Sequence, residues 1–254
     1  MKASFRKLLP ALGVTLFWLA VWFLASVMVG KELLLPSPTQ VLRCLVRLTG
    51  GIEFWQAVFR SILRVLSGIL AATVLGVLLA ALTESSRVCK QLLAPLMTLV
   101  KSTPVASFII LALIWLGRDI LPVVITGLMV LPVVWANVSA GIAGQDPKLL
   151  EMAAVYRLSR GSILRHITVP SVLPYFRSAL SSALGLGWRA GIAAEVLTVP
   201  QLSIGRRIYE SKLYLETTEL FAWTLTVILL SLLIERVLLR VIRTESRKGG
   251  GRNA

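Results

Sequence analysis

The stretch "ILPVVITGLMVLPVVWANVSAGIAGQDPKLLEMAAVYRLSRGSILRHITVPSVLP", residues 120–174, changes character halfway. Ile120 to Gln145 holds no Asp, Glu, Lys or Arg, and it exceeds the roughly 20 residues that an α-helix needs to cross about 30 Å of hydrocarbon. From Asp146 the chain turns polar, with Glu151, Arg157, Arg160, Arg165 and the only histidine, His166. Asp146 before Pro147 is a helix start, because Asp can cap free N–H groups and Pro is tolerated in the first turn. A helix over about 147–158 is too short and too charged to span a bilayer. Ser159, Arg160 and Gly161 then supply a turn, a second short helix runs to about 168, and Pro170 and Pro174 mark the start of the next apolar segment. The spacing predicts an apolar span followed by a helix-turn-helix hairpin standing in water.

The rest of the chain repeats the apolar half. Of 254 residues, 56% are hydrophobic and 15% charged, against about a quarter charged in soluble domains; the mean hydropathy is +0.81. Leu8 to Gly30 and Val65 to Thr83 are also free of charge. A bilayer admits only helices or closed barrels, and long apolar blocks without period-two alternation select helices. The expected fold is therefore all-α, with six spans at about 9–30, 56–83, 91–117, 120–143, 171–199 and 220–242. A signal peptide is the competing reading of residues 1–30, but the apolar block is long and no clear cleavage site follows, so a retained span is preferred. "LLLPSPTQVLRCLVRL" is a Pro-Ser-Pro punctuation followed by a short amphipathic helix lying along the surface. Pro104 interrupts the third span at "VKSTPVASF" and predicts a broken element there. Residues 1–54 thus form a first span with an extracytoplasmic loop, 55–243 the core, and 244–254 a basic cytoplasmic tail.

The net charge of +15 does not point to nucleic acid, because the basic residues sit at span ends and in loops rather than in an aromatic-interleaved patch. With the N-terminus cytoplasmic, about 16 Lys and Arg lie inside and about 9 outside, which favours cytoplasmic ends and a cytoplasmic hairpin. Cys44 and Cys89 have no metal-ligand spacing and fall on opposite sides of the membrane in this topology, so no disulfide is expected. His166 has no second His or Cys near it and is read as a loop residue.

On physics alone the hairpin is either an ordinary connector or a docking element. Its spacing resembles the EAA loop of permease subunits of type I ABC importers: Glu151, Ala153, Ile167 and Pro170 fall on that pattern. Met152 replaces an Ala, Arg157 stands where Gly is expected, and Val169 replaces a Leu. "LLLPSPTQVL", "WQAVFRSILRVLSGILAATVLGVLLA", "KSTPVASFIILALIWLG" and "LGWRAGIAAEVL" extend the resemblance to the nitrate, sulfonate and taurine branch, over about residues 33–240. The resemblance implies a coupling helix docked on a separate cytoplasmic ATPase dimer, which alone would bind ATP and Mg. It further implies a second permease subunit, a homodimer by expectation, and an extracytoplasmic solute-binding protein. Ala153 and Ala154 would allow close approach, Leu150 and Tyr156 would fill the partner's groove, and Arg157, Arg160 and Arg165 would pair with its acidic residues. With Arg157 in place of Gly, the bend between the helices is expected to move to Gly161.

Arg189 and Glu195 put two charges inside an apolar stretch, which is costly and points to a cavity or to a partner. Six residues of helix separate them by 120° short of two full turns, and Gly185, Gly187 and Gly191 are expected to loosen the helix. Two readings stay open for each: a place on the substrate path, or pairing with another helix or the interface. Trp188 is open between a gate and packing, and Lys101 between a path residue and a helix end. No G-x-x-x-x-G-K-[ST], G-x-S-x-G or H-E-x-x-H occurs, so neither an ATP-binding loop nor a hydrolase site is read here. The expectation is a permease rather than an enzyme, with an ion-coupled secondary transporter using Arg189 and Glu195 as the alternative.

Overall fold

The computed structural model describes residues 2–250, with side chains for residues 13–237 and for Arg240. The described residues form helices and no strand: α1 (Lys2–Val29), α2 (Pro38–Thr49), α3 (Ile52–Ser85), α4 (Arg87–Ser102), α5 (Val105–Ala112), α6 (Leu121–Ala143), α7 (Pro147–Val155), α8 (Arg160–Ile163), a π turn (Leu164–Thr168), α9 (Val169–Thr198), α10 (Ile204–Leu213) and α11 (Thr217–Gly250). The basic tail expected over 244–254 lies outside the residues whose side chains are described.

Three of these helices, α3, α6 and α11, are long and apolar enough to cross a membrane alone, and the α4–α5 pair makes a fourth if counted as one span bent by 101°. The bend falls where the sequence places it. Thr103 is extended at ψ 128° and its hydroxyl caps Leu99 O at 2.7 Å, the geometry forced on a residue before proline. Gly13–Val29 within α1 is apolar but shorter. Helix α9 has the length, but Arg189, Glu195 and its glycines lower its hydropathy. It compensates by lying innermost, with eleven buried residues from Ala179 to Thr198.

The core is the contact of α6 with α3 on one side and α9 on the other. Side-chain loss at the crossings makes it possible. A Cβ on Gly68 would lie 2.5 Å from Val123 O of α6, and one on Gly191 would lie 2.6 Å from Thr126 Oγ1 of α6 and from Val65 Cγ2 of α3. Gly187 of α9 meets Ile69 and Val130 in the same way. Small residues at crossings let membrane helices approach closely enough for packing to hold them, since lipid offers no hydrophobic drive. Gly187 and Gly191 are therefore contact points in a regular helix, and the expected loosening does not occur. Around this triple contact pack Val65, Ile69, Val130, Val134, Trp188 and Trp223, all at most 4% exposed.

Helices α2, α10 and the start of α11 cover the end of the bundle where α3 begins. The helix expected after Pro-Ser-Pro is present, and Ser37 caps it in a capping box with Gln40, with Pro38 in the first turn. Val41 and Cys44 pack on Ala222 of α11, while Leu42 and Val46 remain exposed. Burial pushes the Cys44 thiol up, and the Glu219 carboxylate adds to the effect. Both cysteines are free thiols. Helix α1 packs on α2, and its Trp22 donates to Pro36 O just before α2 at 3.1 Å and stacks on Phe221 of α11.

The triple contact makes a direct prediction. Gly191→Ala forces a methyl group against Thr126 and Val65, and overpacking of this kind costs about 1–3 kcal/mol. Thermal unfolding in detergent is expected to show a lower midpoint for Gly191→Ala and none for Gly117→Ala, a position with nothing within 4 Å of the added Cβ.

Candidate functional site

Two groups of residues stand out, one at each end of the bundle. The first is the hairpin after α6. Asp146 accepts the Lys148 N–H at 2.9 Å and Pro147 opens α7, as the sequence indicates. The helix then stops earlier than expected, at Val155. Leu158 N–H bonds to Ala153 O at 2.9 Å, and Arg157 N–H to Ala154 O at 3.1 Å, while Arg157 takes φ +50°. This is a Schellman ending, in which the residue after the cap turns left-handed so that the last carbonyls find donors. Glycine is favoured there because any Cβ strains the left-handed backbone. The bend is thus at Arg157 itself, and the expected shift to Gly161 does not happen.

Gly161 instead lies inside α8, with nothing within 4 Å of its missing Cβ. Ser159 caps this helix by accepting the Ser162 N–H at 3.3 Å. The segment does not end at 168 either. It passes through the π turn directly into α9, so one helical run reaches from Arg160 to Thr198. Pro170 has no N–H for a regular i−4 bond, and the wide π turn just before it absorbs the irregularity. The hairpin's second arm is therefore the root of α9 rather than a separate short helix.

The hairpin has an inner and an outer side. Ala153 and Ile167 are buried at 1% and 6% exposure within this chain. Ala153 is thus covered within this chain, whereas the expectation has it facing a partner. Glu151, Ala154, Tyr156, Arg157, Gly161 and Pro170 are exposed, as are Leu150, Met152 and Val155. His166 turns its ring back on its own helix, Nδ1 lying 3.0 Å from Ser162 O.

The second group surrounds Glu195 near the other end of α9. Glu195 is wholly buried. Its Oε2 accepts from Ser61 Oγ of α3 at 2.6 Å and from the Gly205 N–H at 3.2 Å. Ser61 Oγ in turn accepts the Ile204 N–H at 2.9 Å, so two amides in the first turn of α10 end on this pair. A carboxylate at a helix N-terminus meets both free donors and the positive end of the dipole. Gly205 permits the approach, since a Cβ there would lie 2.3 Å from Glu195 Cβ. Arg64 Nη1 lies 3.6 Å from Glu195 Oε1. The Arg64 guanidinium also donates to Asp119 Oδ1 at 2.7 Å and to Gln201 O at 2.8 Å. Arg64 was not singled out from sequence, because its partners lie far along the chain.

This arrangement separates the expected path residues. Glu195 belongs to a sealed interior knot and is not on an open path within this chain. Trp188 is 2% exposed and donates to Val227 O of α11 at 3.2 Å, so in this structure it is packed in the core. Arg189 is exposed. Its Nε donates to Gly185 O at 3.0 Å, and none of the ion pairs among the described residues includes it. Lys101 is exposed in the last turn of α4, next to the break. Arg189 and Glu195 therefore do not form the pair that an ion-coupled transporter would need, and that alternative is not favoured. The described residues contain no cluster of His, Cys, Asp or Glu able to hold a metal.

The described residues thus form an all-helical bundle with an exposed hairpin at one end and a layer of short helices at the other. The chain belongs to the family of binding-protein-dependent transport system inner membrane components, whose model matches residues 72–244, and it is a transmembrane subunit of an ABC importer. It is 24% identical to the taurine transport system permease protein TauC of Escherichia coli strain K12, over 91% of this chain and 86% of that one. It is 30% identical to the putative aliphatic sulfonates transport permease protein SsuC of the same strain, over 78% and 76%. In fold it is similar to a bacterial ABC transporter involved in the import of the acidic polysaccharide alginate, with a TM-score of 0.60 at 19% identity, covering 94% of this chain and 96% of that one.

The position of the bend is open to test. Arg157→Gly is expected to stabilise the hairpin by about 1 kcal/mol, the strain of a side chain in the left-handed region. Gly161→Ala is expected to be neutral or slightly stabilising, since Ala favours helix by about 1 kcal/mol over Gly. Amide exchange at Leu158 reads both; slower exchange in Arg157→Gly and no acceleration in Gly161→Ala are the expected results.

Proposed function

We propose that this chain forms the path by which a small anion crosses the membrane, delivered by an extracytoplasmic binding protein and driven by a separate cytoplasmic ATPase that holds ATP and its Mg²⁺. Two copies stand side by side, with both termini and the 146–168 hairpin cytoplasmic. Substrates of the taurine and alkanesulfonate type fit this reading, since those are the solutes named for the related permeases.

The observation that carries the anion assignment is Arg189. A charge in mid-helix is costly unless it faces a partner or a water-filled cavity, and this one is exposed without an acidic partner. An ammonium or guanidinium left open in this way attracts a sulfonate or carboxylate through charge-assisted hydrogen bonds. The hairpin supports the ATPase reading. Val155 is 79% and Tyr156 73% exposed at the tip of a segment standing in water, and exposed apolar patches of that kind mark a partner surface. Lys101, beside the break in α4–α5, is a second positive group for the path.

Uptake into proteoliposomes holding this chain, its ATPase and its binding protein tests the reading. ATP-dependent accumulation of taurine or an alkanesulfonate is expected. Arg189→Gln should lower it by about tenfold or more, the loss of one charged hydrogen bond, while leaving ATPase assembly intact. Uptake of a cationic solute, or anion uptake unchanged in Arg189→Gln, would contradict the proposal.

A further inference from the structure

The geometry points to Ser61, Glu195 and Arg64 as positioning residues that join the hairpin to the opposite surface of the protein, so that binding-protein contact on the α10 side reaches the ATPase side through α9. The inference rests on the docking reading above. Three observations carry it. The helical run from Arg160 to Thr198 is uninterrupted, so a displacement of the hairpin's second arm is a displacement of α9. At its far end α9 is tied to α10 by buried bonds: Glu195 to the Gly205 amide, and Ser61 to both Glu195 and the Ile204 amide. Arg64 then ties the α9–α10 connection to the turn before α6, through Gln201 O and Asp119.

The connection itself has little freedom. Val199 and Leu202 both hold left-handed backbone, at φ +50° and +48°, and non-glycine residues keep such conformations only where the surroundings fix them. Breaking the buried bonds would release α10 from α9 without touching the hairpin. Among the groups around this knot, Glu195 Oε1 accepts no hydrogen bond and has only Arg64 beside it at 3.6 Å. Part of the carboxylate's compensation is thus Coulombic, which makes the knot dependent on where Arg64 sits. Asp119, exposed at the other end of Arg64, gives the α5–α6 turn a hold on the same guanidinium. The bent α4–α5 segment is in this way linked to the outer end of α9.

The complete complex in nanodiscs, with ATPase and binding protein, tests this with Ser61→Ala and Asp119→Asn. Ser61→Ala removes one donor to Glu195 and the acceptor of the Ile204 amide while the Gly205 amide and Arg64 stay beside the carboxylate, and Asp119→Asn alters only the exposed end of the Arg64 contact. Co-purification of the ATPase with each variant reports the docking reading by itself. Basal ATP hydrolysis and its stimulation by solute-loaded binding protein report the knot. The expected result is normal co-purification and basal hydrolysis, with stimulation reduced about fivefold or more in Ser61→Ala, the lower range of coupling between sites, and less in Asp119→Asn. Unchanged stimulation in Ser61→Ala overturns the inference. So does an equal fall in basal and stimulated rates, because a merely structural role lowers both alike.

Discussion

The close contact of α3, α6 and α9 is the constraint on which the rest depends. In a bilayer, moving apolar side chains from lipid to protein gains little, so helices hold together by packing and by polar groups that find each other. Here glycines at 68, 187 and 191 bring backbones close enough that added methyl groups would collide with Val123, Ile69 and Thr126. With α6 held between its neighbours, its far end delivers Asp146 and Pro147 to start the hairpin, and α9 is fixed along its inner length. The peripheral elements follow from this. Helices α4 and α5 meet the core through smaller contacts, and α1 joins by way of α2.

The buried carboxylate is affordable only in that setting. Removing a carboxylate from water costs several kcal/mol unless donors surround it. Ser61, the Gly205 amide and Arg64 supply them, and each comes from an element that the helix contacts put in place. The same knot orients α10 across the end of the bundle. Arg189, six residues earlier and 120° short of two full turns round the helix, is left open, so one helix carries both an interior fastening and an exposed positive group.

Much of the fold was legible in the sequence, because membrane helices must satisfy their own backbones and so write their lengths as apolar blocks. The break before Pro104, the helix after Pro-Ser-Pro and the start at Asp146 were legible for a local reason: each depends on residues within four positions. Residue type argues for a bend at Gly161, whereas the need of the Ala153 and Ala154 carbonyls for donors places it at Arg157. The continuity of α8 with α9 was hidden by Pro170, which breaks a regular helix but is accommodated beside a π turn. Ala153 matched the coupling pattern, yet its burial could not be read without knowing which side of α7 meets the chain. Arg64 and Ser61 left no local signal, since their partner Glu195 is more than a hundred residues away.

On the proposed reading, the outer side of the hairpin, and not its buried side, meets the ATPase. Cysteine crosslinking to that subunit tests it most directly, in membranes carrying the assembled complex with Cys44 and Cys89 replaced by Ser. A cysteine at Tyr156 should crosslink efficiently, with a yield that changes on adding ATP, whereas one at Ala153 should stay unreactive. Crosslinking from Ala153 but not from Tyr156, or reaction of Tyr156→Cys with an impermeant thiol reagent applied from outside the cell, would contradict the account.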